Sequence, residues 1–218
     1  LDAFIARRAA DLTAYQNAAY AKRYTDLIGR IGDTESEKTP GRTDLTEVAA
    51  KALYKLMAYK DEYEVARLYT DGRFEAKLRD QFDAGAKLRF HLAPPLLAER
   101  DPGTGRLRKT EYGPWVFTAF RLLAGLKGLR GTAFDIFGRS EERRAERRLI
   151  AEYITTLETL MTGLSDANHE IATDIARLPM SIRGFGHVKE ANMATAVSRH
   201  ESLMETFKNG GAEKTAAE

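Results

Sequence analysis

Apolar positions recur at helical spacing along most of the chain. Between Asp2 and Ile31, the residues Ile5, Leu12, Tyr15, Ala19, Leu27, Ile28 and Ile31 fall close to a helical period. Ala9, Ala10, Ala14, Ala18 and Ala21 add intrinsic helix propensity. The pattern predicts one long helix over residues 1–31, about 45 Å if continuous. Residues 32–42, GDTESEKTPGR, are polar and carry the Pro40–Gly41 breaker, which predicts an exposed linker. Asp44 with Glu47 three residues on resembles a capping box. From there Leu45, Val48, Leu53, Leu56, Met57, Tyr63 and Ala66 predict a helix to about Tyr69, bent near Asp61–Glu62. A short helix around Phe74, Leu78 and Phe82 follows the Asp71–Gly72 punctuation.

In the middle the period changes. Leu88, Phe90 and Leu92 alternate with Lys87, Arg89 and His91, a strand pattern ended by Pro94–Pro95. Asp101-Pro-Gly-Thr-Gly105 is a turn signal between Leu96–Arg100 and Arg106–Tyr112, so a β-hairpin is expected there. Further helices are predicted from Trp115 to Leu126 and, behind the Ser140 cap, from Glu141 to Thr162. Two more are expected, from Ser165 to Leu178, where Pro179 stops the helix, and from His187 to Lys208. Residues 209–218 read as a polar, frayed tail. The expected fold is therefore mostly α: a bundle-like domain over 43–208 with a small β-hairpin near 88–112.

Composition narrows the function classes. The 218 residues are 43% hydrophobic and 30% charged, as in an ordinary globular protein. The 34 basic and 32 acidic residues interleave to a net charge of +2, so no global field draws the chain to nucleic acid. The densest apolar stretch, Trp115 to Leu126, is too short to span a bilayer. No cysteine is present, which excludes disulfides, thiolate metal sites and cysteine-held clusters within these residues. A cytoplasmic location is expected. The start at Leu1, without Met, reads as that of a fragment.

Candidate chemistry is sparse. His91, His169, His187 and His200 form no metal-ligand spacing, and Asp166, His169 and Glu170 read as a solvated first helical turn. Arg143, Arg144, Arg147 and Arg148 make a basic stripe, largely neutralised by Glu141, Glu142, Glu146 and Glu152. Asp135 lies between Phe134 and Ile136, where a role as a loop cap is expected. The most unusual string is Ile182-Arg-Gly-Phe-Gly-His-Val-Lys-Glu190. Its Arg183, Gly184, Gly186 and Lys189 are the candidate anion site, since glycines before a helix let backbone N–H groups approach a phosphate or carboxylate. The plainer reading, which the short connection favours, is a tight interhelix turn with Phe185 in the core. No catalytic set can be assembled from the residues alone.

Five strings carry a resemblance: Leu12–Tyr20 (LTAYQNAAY), Leu53–Tyr69 (LYKLMAYKDEYEVARLY), Phe90–Leu97 (FHLAPPLL), Glu111–Trp115 (EYGPW) and Ile182–Glu190 (IRGFGHVKE). In this order they resemble the C-terminal region of fused indolepyruvate:ferredoxin oxidoreductases, from Ala3 to about Phe207. The resemblance makes residues 1–31 the end of a preceding gamma-type catalytic domain and the remainder a closing helical domain, with a non-catalytic structural or docking role expected. It implies a parent enzyme that oxidatively decarboxylates aryl 2-oxoacids to acyl-coenzyme A, with ferredoxin as electron acceptor. Thiamine diphosphate with magnesium and iron–sulfur clusters would serve in upstream domains. It assigns no catalytic or metal residue to this chain. The Arg183–Lys189 loop would hold a phosphate, for instance of coenzyme A, and the basic stripe an acidic electron carrier. The upstream domains are the expected partner, and the apolar stripe on the first helix predicts self-association when it stands alone. The rival is a free-standing helical adaptor that binds another protein.

Overall fold

The alanine-rich start of the chain forms two helices where the apolar period predicts one. In the computed structural model, helix α1 (Asp2–Tyr15) ends before α2 (Ala18–Lys38) begins. Asn17 makes the break, because its side-chain oxygen accepts from the Tyr20 N–H at 2.8 Å and so caps α2. The structure describes residues 1–83, 88–92, 103, 108–182 and 187–209, without the side chains of 187–191. Helix α2 runs through Lys38, so most of the expected linker is helical. The polarity of residues 32–38 marks one face of a helix, and only Thr39 onward leaves it.

Helices α3 (Asp44–Met57) and α4 (Glu62–Thr70) are separate, divided at the bend expected near Asp61. Next come α5 (Arg73–Gln81), strands β1 (Phe90–Leu92) and β2 (Thr110–Tyr112), and α6 (Val116–Gly125). Behind Ser140, whose hydroxyl accepts from the Arg143 N–H, α7 spans Glu141–Gly163. A 3-10 turn at Asp166–Asn168 leads into α8 (His169–Arg177). A second 3-10 turn follows at Leu178–Ser181, with Pro179 inside it rather than beyond the helix. The last helix, α9, is His187–Lys208. The mostly α fold with one small antiparallel hairpin is thus as the sequence indicates. The ladder pairs Phe90 with Tyr112 and Leu92 with Thr110. The hairpin arm expected at 96–100 lies outside the described residues.

The chain divides into two compact units, Leu1–Tyr59 with Gly138–Glu218, and Lys60–Phe137. In the first, Leu12, Tyr24, Ile28 and Ile31 of α1–α2 meet Leu45, Leu53 and Met57 of α3 in one buried cluster. Leu157 and Leu160 of α7, Ile175 of α8 and Phe207 of α9 complete it. Residues 1–31 therefore share a core with α3, α7 and α8. In the second unit α4 and α6 lie together, around a ring cluster of Tyr69, Phe74, Phe90, Phe117 and Phe120. Ring centroids there are 4.8 to 6.2 Å apart, mostly edge to face. The hairpin contributes Phe90, the buried residue of β1.

Candidate functional site

Of the candidate anion site, Arg183, Gly184 and Gly186 lie outside the described residues, as does the Lys189 side chain. What precedes it is firmly held. The Lys55 ammonium donates to the carbonyls of Pro179 (2.7 Å), Met180 (3.3 Å) and Ile182 (2.9 Å). One cation from α3 thus gathers three carbonyls at the end of the turn, of which that of Pro179 also accepts from the Ile182 N–H at 3.3 Å. Lys38 does the same for α7, donating to Met161 and Thr162 carbonyls at 2.9 Å.

Glu35 sits at the polar centre of the first unit, 1% exposed. Its carboxylate accepts from the backbone N–H groups of Leu45 and Thr46, each at 2.9 Å. These are second- and third-residue donors of α3, the ones a local cap would take. Asp44 and Glu47 make no such cap: α3 has no side-chain bond from its own N-terminal residue, and Glu47 pairs with Lys51. The Thr46 hydroxyl and His169 Nε2 also donate to Glu35, the latter at 2.6 Å. Burial pushes the Glu35 carboxyl up, but the bonds from Thr46, His169 and Leu45 outweigh it and hold the group below the ordinary carboxylate value. An ionised carboxylate only accepts, so His169 carries its proton on Nε2. His169, expected in a solvated turn, is 2% exposed. With four donors on two oxygens, Glu35 has little capacity left for a substrate. This is a brace.

The second unit has its own buried charge pair. Arg130 donates to Asp61 through Nη2 at 2.8 Å and through Nε, and both side chains are under 5% exposed. Asp61 also caps α4 by accepting from the Glu64 N–H. Asp135 closes the 131–135 loop, accepting from Gly131 N–H at 2.8 Å and Tyr63 hydroxyl at 3.3 Å. Gly131 has φ +76°, a conformation that L side chains rarely adopt. Burial, then Asp135, pushes the Tyr63 phenol up to about 12. Here too each group answers another.

Two features are left open. One is a cavity of about 290 Å3 in the first unit, bounded by α3, α7, α8 and α9, with Thr156, His200, Glu152 and Glu201 among its lining. Burial holds the His200 imidazole below its ordinary value, against the pull of Glu201 and Glu152. The other is an exposed apolar patch at α6. Phe117 and Phe120 face the ring cluster, while Leu122 and the flanking Trp115 and Leu126 are exposed, Trp115 to 63% and Leu122 to 71%, on a helix that also exposes Thr118 and Arg121. Exposed apolar patches mark interaction surfaces. In the expected basic stripe, Arg143 pairs with Glu146 at 2.7 Å and Arg147 reaches the Gly138 carbonyl. Arg144 and Arg148 are exposed. Among the described residues no group of three His, Cys, Asp or Glu is placed to hold a metal, and no helix is long and apolar enough to cross a membrane.

Neither Glu35 nor Arg130 was marked by sequence reasoning. Nothing in the sequence separates Glu35 from its neighbours Asp33 and Glu37, and its donor Leu45 lies ten residues on, beyond the reach of a local capping motif.

One family model, described as a family of unknown function (DUF6537), matches residues 1–202. No curated protein and no solved structure matches the chain.

Proposed function

The chain belongs to DUF6537, and we propose that it is the C-terminal, non-catalytic docking region of a 2-oxoacid:ferredoxin oxidoreductase of the indolepyruvate type. The observation that supports docking is the exposed apolar patch of Trp115, Leu122 and Leu126 at α6. Its occupant in this reading is the upstream catalytic part of the same polypeptide. The identity of the enzyme rests on the five resembling strings. Two of them supply framework bonds in this structure. In LTAYQNAAY, the Tyr15 and Tyr20 hydroxyls donate to the Tyr59 and Met57 carbonyls at the end of α3. In LYKLMAYKDEYEVARLY, Lys55 and Asp61 hold the bonds described above. Such roles suit a part that braces rather than reacts.

Thiamine diphosphate, magnesium and iron–sulfur clusters supply decarboxylation and electron transfer in such an enzyme. The residues here do not fit a cluster, for the 218 positions include no cysteine. Those groups are therefore assigned to the upstream domains, in a cytoplasmic enzyme with ferredoxin as acceptor. Exposed Arg144 and Arg148 are the positions offered to that acidic carrier.

The test is association in trans. The upstream polypeptide and this chain, expressed separately and mixed, should sediment as a complex that Trp115→Asp with Leu122→Asp weakens at least about tenfold. The upstream polypeptide should reduce ferredoxin with an aryl 2-oxoacid and coenzyme A. An upstream polypeptide with neither thiamine diphosphate nor clusters would overturn the enzyme assignment and leave the adaptor reading. Absence of a complex would overturn docking.

A further inference from the structure

The hollow beneath α9 is a built space rather than a surface dimple. Its floor is Tyr153, Ile175 and Leu178, all buried, with Leu56 and Met193 at the sides. The Tyr153 hydroxyl already donates to the Ala176 carbonyl at 2.8 Å, which removes the floor's only polar group from a ligand's reach. About 290 Å3 is the scale of a small-molecule site, and an apolar group seated on this floor gains dispersion contacts with its side chains.

Polar lining is one-sided in chemistry. Thr156 Oγ1 and His200 Nε2 lie 3.3 Å apart, beside the carboxylates of Glu152 and Glu201. Neither lysine nor arginine is among the described lining residues. An acidic ligand would meet two like charges, and a pure hydrocarbon would leave the imidazole, the hydroxyl and both acids without benefit.

We propose that this cavity binds a small organic cation: a single-ring apolar body on Tyr153, Ile175 and Leu178, with a primary ammonium group at Glu152, Glu201 and His200. The ring packs on the apolar floor, and the ammonium donates to the two carboxylates beside the Thr156–His200 pair. Both acids are exposed, so water screens them and the preference for a cation over the matching anion is about tenfold.

Isothermal titration of the full chain with 2-phenylethylamine and with phenylacetate tests this. The amine should bind, and phenylacetate about tenfold more weakly. Met193→Trp, which fills the hollow from α9, should abolish both. Glu152→Gln with Glu201→Gln replaces only exposed side chains and should bring the two affinities within about twofold. No heat with the amine, equal affinity for the two probes, or amine binding that survives Met193→Trp would each overturn the proposal.

Discussion

Replacing Glu35 by Ala leaves two α3 N–H groups, the Thr46 hydroxyl and His169 without their acceptor, and should cost about 3 kcal/mol. Urea unfolding measures it, and a loss below about 0.5 kcal/mol would show that water replaces the carboxylate. The pH dependence has a definite sign. Glu35 ionises more readily folded than unfolded, so its contribution is full above the ordinary carboxylate range and is lost as pH falls through the lowered folded value. Glu35→Gln should flatten that acid limb. Gly163 shows another residue whose role its sequence context conceals. It is the last residue of α7, and a Cβ there would lie 2.9 Å from Phe207 Cε1. Gly163→Ala should therefore displace the Phe207 ring and cost about 1–3 kcal/mol, read from the thermal midpoint. Neither role shows in a local pattern: Glu35 binds donors 10, 11 and 134 residues away, and Gly163 meets Phe207 of α9.

At the scale of elements, helix ends are where the chain's distant contacts concentrate. Tyr15, Tyr20, Lys38 and Lys55 all reach carbonyls near the ends of other elements. Lys55→Met keeps the aliphatic stem but removes the ammonium that joins the Pro179, Met180 and Ile182 carbonyls, so amide hydrogen exchange in the 178–182 turn should speed up at least about tenfold while α7 is unaffected. Asn17→Ala should cost about 1 kcal/mol through the lost α2 cap. The elements themselves were largely legible. Apolar spacing and the Ser140 cap place α7, and the alternation around Phe90 places β1. The break at Gln16–Asn17 was not, because alanines continue the apolar period across it and only one amide marks the cap. The lysine and acids of residues 32–38 look like those of a solvated linker, whereas Glu35 is buried and Lys38, though exposed, binds carbonyls of α7. Polarity identifies exposed segments only when its charges have no buried employment.

Across the whole molecule, each unit carries its own polar lock, so damage to one should be read locally. Asp61→Ala leaves Arg130 buried beside no counter-charge and should cost about 3–5 kcal/mol, whereas Asp61→Leu with Arg130→Met should recover much of it. Near-ultraviolet circular dichroism against temperature should then show an early transition of the Tyr69–Phe120 cluster with the α7–α8 core still intact. A single late transition would contradict that separation. The division was not legible in the sequence, since nothing in the apolar pattern tells that Gly138 returns to the core left at Tyr59. That return has a consequence for how the protein is made. The second unit is one continuous stretch, Lys60–Phe137, and everything it needs has been synthesised when residue 137 leaves the ribosome. The first unit is split, and the acceptor that starts α3, Glu35, waits for a donor 134 residues downstream. Translation therefore delivers the later-numbered segment's fold first. Until α7 and α8 are made, Leu12, Tyr24 and Ile28 lack part of the core that covers them, an interval in which exposed apolar surface invites aggregation.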